Sequence, residues 1–266
     1  MAKKSPLERS VRSKLSRFLT RPGKVASAMS VLKDWEERGW GPILFGGVVR
    51  DLIVLGGKYY PRDVDVVLQN ATTEELINEF QTREYKLNRF GGLHLNVNRW
   101  AFDVWPLEKT WGFTHDQSIL PIPVNLPKTT FLDVEAVAVT LNGPTRVGDI
   151  YSNGFFQAVE NRCVGINYIN NPFPALCAVR AVITACKLRF RISAELARYF
   201  MRVAKECGTS ELVYAQEHHY SKVIFRAPEI KQLEDHFMRA LDADESSVIP
   251  LPDSYHPTQL RLWSEQ

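Results

Sequence analysis

The chain has 266 residues, 45% of them hydrophobic and 24% charged, which is ordinary for a globular protein with a full core. No window approaches the ~18 uninterrupted apolar residues of a membrane-spanning helix, so a soluble protein without a membrane partner is expected. The four cysteines show neither C-x-x-C spacing nor a neighbouring histidine pair. This pattern argues against a zinc site or a disulfide framework and predicts a reducing cytoplasm.

The formal charge of +3 is unevenly distributed. Residues 1–24 carry eight lysines and arginines against one acid, Glu8, a charge of +7 that leaves −4 for the other 242 residues. Ser5, Pro6 and Glu8 match the start of a helix, and an apolar stripe follows at Leu7, Val11, Leu15, Phe18 and Leu19. We expect a basic amphipathic helix. It is either a solvated face or an RNA contact through Lys14 and Arg17, and a cleaved leader is the less favoured alternative.

The next elements alternate between helix and strand. Helical spacing from Val25 to Trp35 is followed by a short strand, "PILF", by Gly46-Gly47 and by a helical segment, "VVRDLIVLG". A second strand over residues 64–68 leads to a helix, "TTEELINEF", capped by Thr72 or Thr73. The segment "GGLHLNVNRWAFDVW" predicts a hairpin that turns at Asn98-Arg99.

The remaining chain changes character twice. A proline-rich irregular stretch over residues 114–128 precedes an apolar run, "VEAVAV" (134–139), and four successive helical patterns begin near residue 172. The predicted fold class is therefore α+β, a small mixed sheet flanked by helices and followed by an all-helical part. The predicted boundaries are a basic helix (1–24), an α/β domain (25–150) and a helical domain with an irregular tail (151–266).

Two aspartates, Asp63 and Asp65, lie one residue apart on an otherwise apolar strand. Side chains at i and i+2 share one face of a strand, with Cα atoms roughly 6.5–7 Å apart. Like charges in such a place are costly unless a cation lies between them, and carboxylate oxygens suit Mg²⁺. Asp103, on the predicted hairpin, supplies a third carboxylate. The alternatives are an edge strand with incidental acids and, for Asp103, a salt bridge. We favour two Mg²⁺ ions, which can hold the attacking and leaving oxygens of a nucleotidyl transfer.

Gly46-Gly47 lies between a predicted strand and a predicted helix, where a backbone without side chains lets a phosphate approach the helix N-terminus. Arg50 lies one helical turn further along the chain. It either reaches the triphosphate of an NTP bound at this turn or pairs with Asp51 or another nearby acid. His94 lies among alternating strand residues and is either a partly buried structural histidine or a catalytic base.

The motifs "GGVVRDL" and "RDVDVV" resemble the head domain of class II CCA-adding enzymes and bacterial poly(A) polymerases, in the DNA polymerase β nucleotidyltransferase superfamily. The resemblance covers about residues 40–210. It implies that Asp63, Asp65 and Asp103 bind the catalytic metals, and that the acceptor is an RNA 3′ end, with tRNA as one candidate. The segment "FPALCAVRAVITACKLRFRIS" resembles the start of the family's helical neck, where Arg180 matches the second arginine of an L-R-A-x-R-F pattern and is assigned to nucleotide binding.

The chain also departs from the family pattern. The loop between Gly47 and Asp63 is about three residues longer, and the sugar-binding R-R-D-F-T-I-N-A segment falls on "TTFLDVEAVAV", where both arginines are missing. Cys177 replaces the first arginine of the neck. No counterpart of the templating E-D-x-x-R motif is found near "SELVYAQEHHYS". These departures predict a shortened, divergent member.

A basic stretch in the helical part includes Arg180, Arg189 and Arg198. It is either a solvated helix face or a groove for the RNA backbone or the triphosphate. Tyr214, Gln216, His218 and His219 are a weaker candidate surface for a base. The sequence thus predicts a nucleotidyltransferase that uses an NTP and an RNA acceptor. Two alternatives remain: transfer to a protein or small molecule, including a toxin, and a catalytically silent RNA-binding module.

Overall fold

The computed structural model describes residues 5–22, 24–56, 63–81, 85–97, 100–143, 146–243, 247–252 and 255. Within residues 24–28 it describes the backbone alone, and side chains are described from residue 29 onward. The predicted turn at Asn98-Arg99, much of the expanded loop before Asp63 and most of the C-terminal tail lie outside these residues. The chain forms two compact units: Met1–Thr130 with Val134–Phe156, and Phe131–Asp133 with Gln157–Gln266.

The first helix, α1 (Pro6–Leu19), begins where its sequence predicts. The hydroxyl of Ser5 accepts a hydrogen bond from the Glu8 amide at 3.1 Å, which satisfies one of the free donors at the helix start. Four members of the apolar stripe are buried, namely Val11, Leu15, Phe18 and Leu19. The guanidinium of Arg12 donates to the Val147 carbonyl at 2.7 Å, so α1 is fixed to its own unit by polar as well as apolar contacts.

A seven-stranded mixed sheet forms the centre of the first unit. Its strands are β1 (Pro42–Phe45), β2 (Asp63–Leu68), β3 (Tyr85–Leu87), β4 (Leu93–Val97), β5 (Trp100–Pro106), β6 (Val137–Leu141) and β7 (Val147–Ser152), in the spatial order β3-β4-β5-β2-β1-β6-β7. The pair β2–β5 is parallel and the other neighbours are antiparallel. The helices of this unit are α1, α2 (Lys24–Glu37), α3 (Gly47–Val54), α4 (Thr73–Glu79) and α5 (Trp111–His115). Thr72, one of the two candidate caps, begins α4 with a complete capping box.

The two faces of the sheet are covered differently. Val64, Val66, Phe102 and Val104 are fully buried on one face, where Trp35 of α2 packs edge-on against Phe102 with ring centroids 6.0 Å apart. On the other face, the segment 107–130 covers an apolar cluster that includes Ile43, Phe45, Val67, Leu107, Phe113, Leu126 and Ala138. The aspartates of β2 lie on that second face and are only partly buried, because residues 63, 65 and 67 alternate with the buried valines.

The second unit contains α7 (Pro174–Leu188), α8 (Ala194–Cys207), α9 (Thr209–Tyr220) and α10 (Ala227–Asp242), and α6 (Phe155–Asn161) spans the boundary. These helices match the four predicted patterns. Three short strands that the sequence did not predict form a small sheet in the order β10 (Val248–Ile249), β9 (Arg191–Ser193), β8 (Cys163–Val164). The α+β fold class, with a helical C-terminal part, is confirmed. The predicted domain boundaries stay a prediction.

Gln216 is a core residue, not part of a base-binding surface. It is fully buried, and its amide donates to the Leu212 and Phe225 carbonyls and accepts from the Ile224 and Phe225 amides. The side chain therefore ties α9 to the loop that follows it, and its hydrogen-bonding groups are satisfied within the unit.

No helix in the described part of the chain combines the length and the apolar character that a membrane crossing needs. All four cysteines are free thiols: Cys163, Cys177 and Cys186 are buried, and Cys207 is exposed.

Candidate active site

The three predicted metal-binding aspartates lie together on neighbouring strands. Because β2 and β5 are parallel and in register, Asp65 is directly opposite Asp103, and Asp63 is opposite Ala101. Opposite residues on neighbouring strands share a face, and their backbones are about 4.8 Å apart. All three aspartates are partly exposed. The fold therefore places three partly exposed carboxylates on one face of the sheet.

The Gly46-Gly47 turn lies beside one of these carboxylates, that of Asp65, where β1 ends and α3 begins. Gly46 has φ +62° and ψ −120°, a conformation that side-chain-bearing residues avoid, so glycine is required by the backbone itself. A Cβ at Gly46 would lie 3.9 Å from Asp65 Oδ2, and one at Gly47 would lie 4.0 Å from the same oxygen. The turn thus leaves bare backbone at the N-terminus of an eight-residue helix, next to a carboxylate.

Arg50 lies at the same turn, but acids of its own unit bind its guanidinium. Its Nε donates to Asp51 Oδ1 at 2.7 Å and its Nη1 donates to Glu135 Oε1, and all three residues are buried. The pairing that the sequence left open is therefore present. Its Nη2 would lie 3.6 Å from a Cβ at Gly47, so the guanidinium borders the turn, and contact with a triphosphate stays a prediction.

Glu135 is the partner that sequence reasoning did not assign. The sequence carries one signal for its pairing: an acid within the apolar run 134–139 needs a partner if that run is buried. Only the tertiary structure shows that the partner is Arg50, 85 positions earlier in the chain.

His94 contacts the third aspartate. It is opposite Asp103 in the antiparallel pair β4–β5, and its Nδ1 lies 2.8 Å from Asp103 Oδ1. The two side chains are 40% and 37% exposed, so the pair borders the open face and is not part of the core. Lys86 on β3 is opposite His94, and it extends the row Asp65–Asp103–His94 across a fourth strand.

The donor atoms fit magnesium in kind. In the described part of the chain, no three His, Cys, Asp or Glu side chains converge as a metal-binding group. Mg²⁺ is usually bound by one or two carboxylates together with waters and substrate phosphates, so a closed protein cage is not required. The row of carboxylates beside a bare backbone turn fits such an open site, for which Asp63, Asp65 and Asp103 are the candidate ligands.

The predicted RNA-binding residues of α1 border a pocket of about 480 Å³ in the first unit, lined by Lys14, Arg17, Phe18, Thr20, Arg21, Pro22 and Leu52. Lys14 also donates to the Ile53 carbonyl at 2.7 Å, where it satisfies an acceptor in the last turn of α3. In the second unit, Arg180 is partly buried on α7, Arg198 is exposed on α8, and Arg189 is exposed and caps α7 with φ +55°.

The fold of this chain is similar to that of several solved structures. No family model and no curated protein matches the sequence. A CCA-adding enzyme solved with CTP superposes with a TM-score of 0.59 at 17% identity, over 86% of this chain and 55% of that one. A Thermotoga maritima CCA-adding enzyme solved with tRNA gives 0.57 at 16%, over 85% and 54%. A tRNA nucleotidyltransferase solved with a primer tRNA and an ATP analogue gives 0.53 at 18%, over 79% and 60%.

These likenesses confirm, at the level of fold, the resemblance to CCA-adding enzymes that the motifs predicted. The chain spans a little over half the length of the solved structures named above. At this identity the comparison establishes the architecture, and the activity has to be argued from the site.

Proposed function

We propose that the protein is a metal-dependent nucleotidyltransferase that transfers a nucleotide from an NTP to an acceptor hydroxyl and releases pyrophosphate. The observation that carries this proposal is the register of β2 and β5, which aligns Asp103 with Asp65, the aspartate that borders the Gly46-Gly47 turn. Carboxylates next to bare backbone at a helix N-terminus match the two needs of the reaction, which are metal binding and triphosphate binding.

Each residue has a distinct role in this proposal. Asp63 and Asp65 would hold two Mg²⁺ ions, and Asp103 would share one ion and orient the acceptor hydroxyl. The Gly46-Gly47 backbone amides would bind the triphosphate, with Arg50 behind them. Arg180, by its match to the neck motif, remains proposed for nucleotide binding.

In the reaction, the acceptor oxygen attacks the α-phosphorus of the NTP and forms a new P–O bond. The bond between the α-phosphorus and the oxygen that bridges it to the β-phosphate breaks. The hydroxyl proton leaves to Asp103 or to water, and the departing pyrophosphate carries away the electron pair. Bound Mg²⁺ would supply charge neutralisation and a lowered pKa of the attacking hydroxyl. The carboxylates of this chain would fix the reacting groups within attacking distance.

The proposed acceptor is an RNA 3′ end, with tRNA as one candidate. Similar solved structures contain CTP, ATP or tRNA, and the basic pocket at α1 offers cations to an RNA backbone, as do Arg189 and Arg198. A cytoplasmic location fits this proposal. Transfer to a protein or a small molecule, and silent RNA binding, are the other outcomes that the following experiment distinguishes.

The experiment incubates the purified protein with each α-labelled NTP, Mg²⁺ and total RNA, and separates RNA, protein and small molecules. We expect labelled RNA from the wild type and a loss of at least about 100-fold in Asp63→Asn/Asp65→Asn and in Asp103→Asn, because several kcal/mol of charge stabilisation would be lost. Asp149→Asn, an exposed change on β7 of the same unit, is the matched control and should label RNA normally.

The destination of the label decides between the candidates. Label on protein or on a small molecule would replace the RNA acceptor. Salt-dependent RNA binding with no label in any fraction would establish a silent module. Full activity in both aspartate variants would refute the proposed site.

A further inference from the structure

His94 is hydrogen-bonded to Asp103, the residue proposed to share one metal ion and to orient the acceptor hydroxyl. An ionised carboxylate only accepts hydrogen bonds, so His94 donates through its Nδ1–H at 2.8 Å. A hydrogen bond to one oxygen of a carboxylate fixes its rotation about the last side-chain bond. The direction of the other oxygen, Oδ2, is fixed with it.

The position of this pair favours a functional role. Both side chains are more than a third exposed, and exposed pairs of this kind add little to stability. The strand register places the pair at the aspartate end of the open face, with Asp65 as the next residue in the row. Carboxylates that bind metals are commonly oriented by a second hydrogen-bonding partner, whose loss costs about 10–100-fold in metal affinity or activity.

We propose that His94 is a positioning residue that orients the Asp103 carboxylate toward the metal and the acceptor hydroxyl. This inference rests on the proposed nucleotidyl transfer. It assigns His94 a role that neither the sequence motifs nor the likeness in fold supplied. The imidazole contributes a fixed hydrogen-bond donor, and the proton of the acceptor does not pass through it.

The test compares three variants with the wild type. His94→Leu removes the donor. His94→Asn places an amide N–H close to the position of Nδ1, and His94→Gln places it one carbon farther out. His115→Leu is the matched control, because the ring of His115 stacks on Trp111 in the same unit. The measurements are kcat and KM for the NTP, Mn²⁺ binding by electron paramagnetic resonance in the presence of the NTP, and thermal unfolding.

We expect His94→Leu to lower kcat or Mn²⁺ affinity by about 10–100-fold, with KM for the NTP and the unfolding temperature little changed. His94→Asn should recover most of the loss, His94→Gln little of it, and the control should behave as wild type. Wild-type values in His94→Leu would overturn the proposal. So would an Asn variant as impaired as the Leu variant, because the donor would then be irrelevant.

The result also separates this inference from the function on which it rests. If the wild type transfers no nucleotide but binds Mn²⁺ with an NTP, the Mn²⁺ affinities of the variants alone decide the role of His94. If the wild type binds no metal, both proposals fail. Should His94→Leu not fold, the comparison of Asn with Gln still decides, because both keep a polar side chain of similar size.

Discussion

At the residue scale, the buried charges around Arg50 determine how firmly the Gly46-Gly47 turn is held. The exposed fractions of Arg50, Asp51 and Glu135 are 6%, 4% and 6%. The Arg50 guanidinium contacts both acids, and it thereby links α3 to Glu135, which lies just before β6 in the chain. A buried charge is tolerated only when its partners are present. The arginine therefore has a structural role whether or not it also meets a triphosphate.

We predict that Arg50→Ala destabilises the first unit by about 3–5 kcal/mol, because it removes the guanidinium that two buried carboxylates contact. Urea unfolding followed by tryptophan fluorescence measures this loss. The matched control is Arg50→Met combined with Asp51→Asn and Glu135→Gln, which removes all three charges and should recover most of the stability. An Arg50→Ala protein as stable as the wild type, but weak in NTP binding, would assign this arginine to the triphosphate alone.

At the element scale, α1 combines two faces with different tasks. Its apolar stripe is buried in the first unit, while Lys14 and Arg17 line the basic pocket together with Arg21. Lys14 and Arg17, three positions apart, lie on one side of the helix, and Arg21 follows its C-terminal cap. The element can therefore present charge to a phosphate backbone without losing its packing.

We predict that Arg17→Glu/Arg21→Glu weakens RNA binding and reduces the slope of log K against log salt by about 1–2, since each lost phosphate contact removes nearly one released counterion. Filter binding over a range of salt concentrations measures both. Lys33→Glu/Lys128→Glu reverses the same charge at two exposed positions of the same unit and is the control. An equal loss in the control would mean that only net charge matters, and that the pocket is not a binding site.

At the scale of the whole molecule, the four cysteines report on the second unit, which contains all of them. Burial raises the pKa of the Cys186 thiol to about 12 and also raises the pKa of Cys163. A protonated, buried thiol is a poor nucleophile, whereas Cys207 is exposed.

We predict that a thiol reagent at pH 8 labels one cysteine quickly in the native protein and all four after unfolding in urea. Cys207→Ser should remove the fast phase. Raising the pH toward the pKa of Cys186 increases its thiolate fraction, but burial should keep its labelling slow until the unit unfolds. Two or more fast native thiols would contradict the described burial of Cys163, Cys177 and Cys186.

Much of this protein could be predicted from the sequence because the signals are local. The cap at Ser5, the stripe from Val11 to Leu19 and the alternation around Asp63 and Asp65 each depend on neighbours within a few positions, so they determined helices, strands and the face that each buries. The same local patterns carried the resemblance to CCA-adding enzymes, which the fold confirms.

Contacts between residues distant in sequence were decided only by the tertiary structure. Strand order and register placed Asp103 opposite Asp65 and His94 opposite Asp103, and packing paired Arg50 with Glu135. The short strands β8, β9 and β10 also escaped prediction, because a two- or three-residue strand is defined by its partner and carries no periodic pattern of its own. The sequence by itself thus determined the local elements and predicted which residues would carry the proposed chemistry. The three-dimensional structure decided which of them meet, since pairing across a sheet depends on long-range packing that no local pattern encodes.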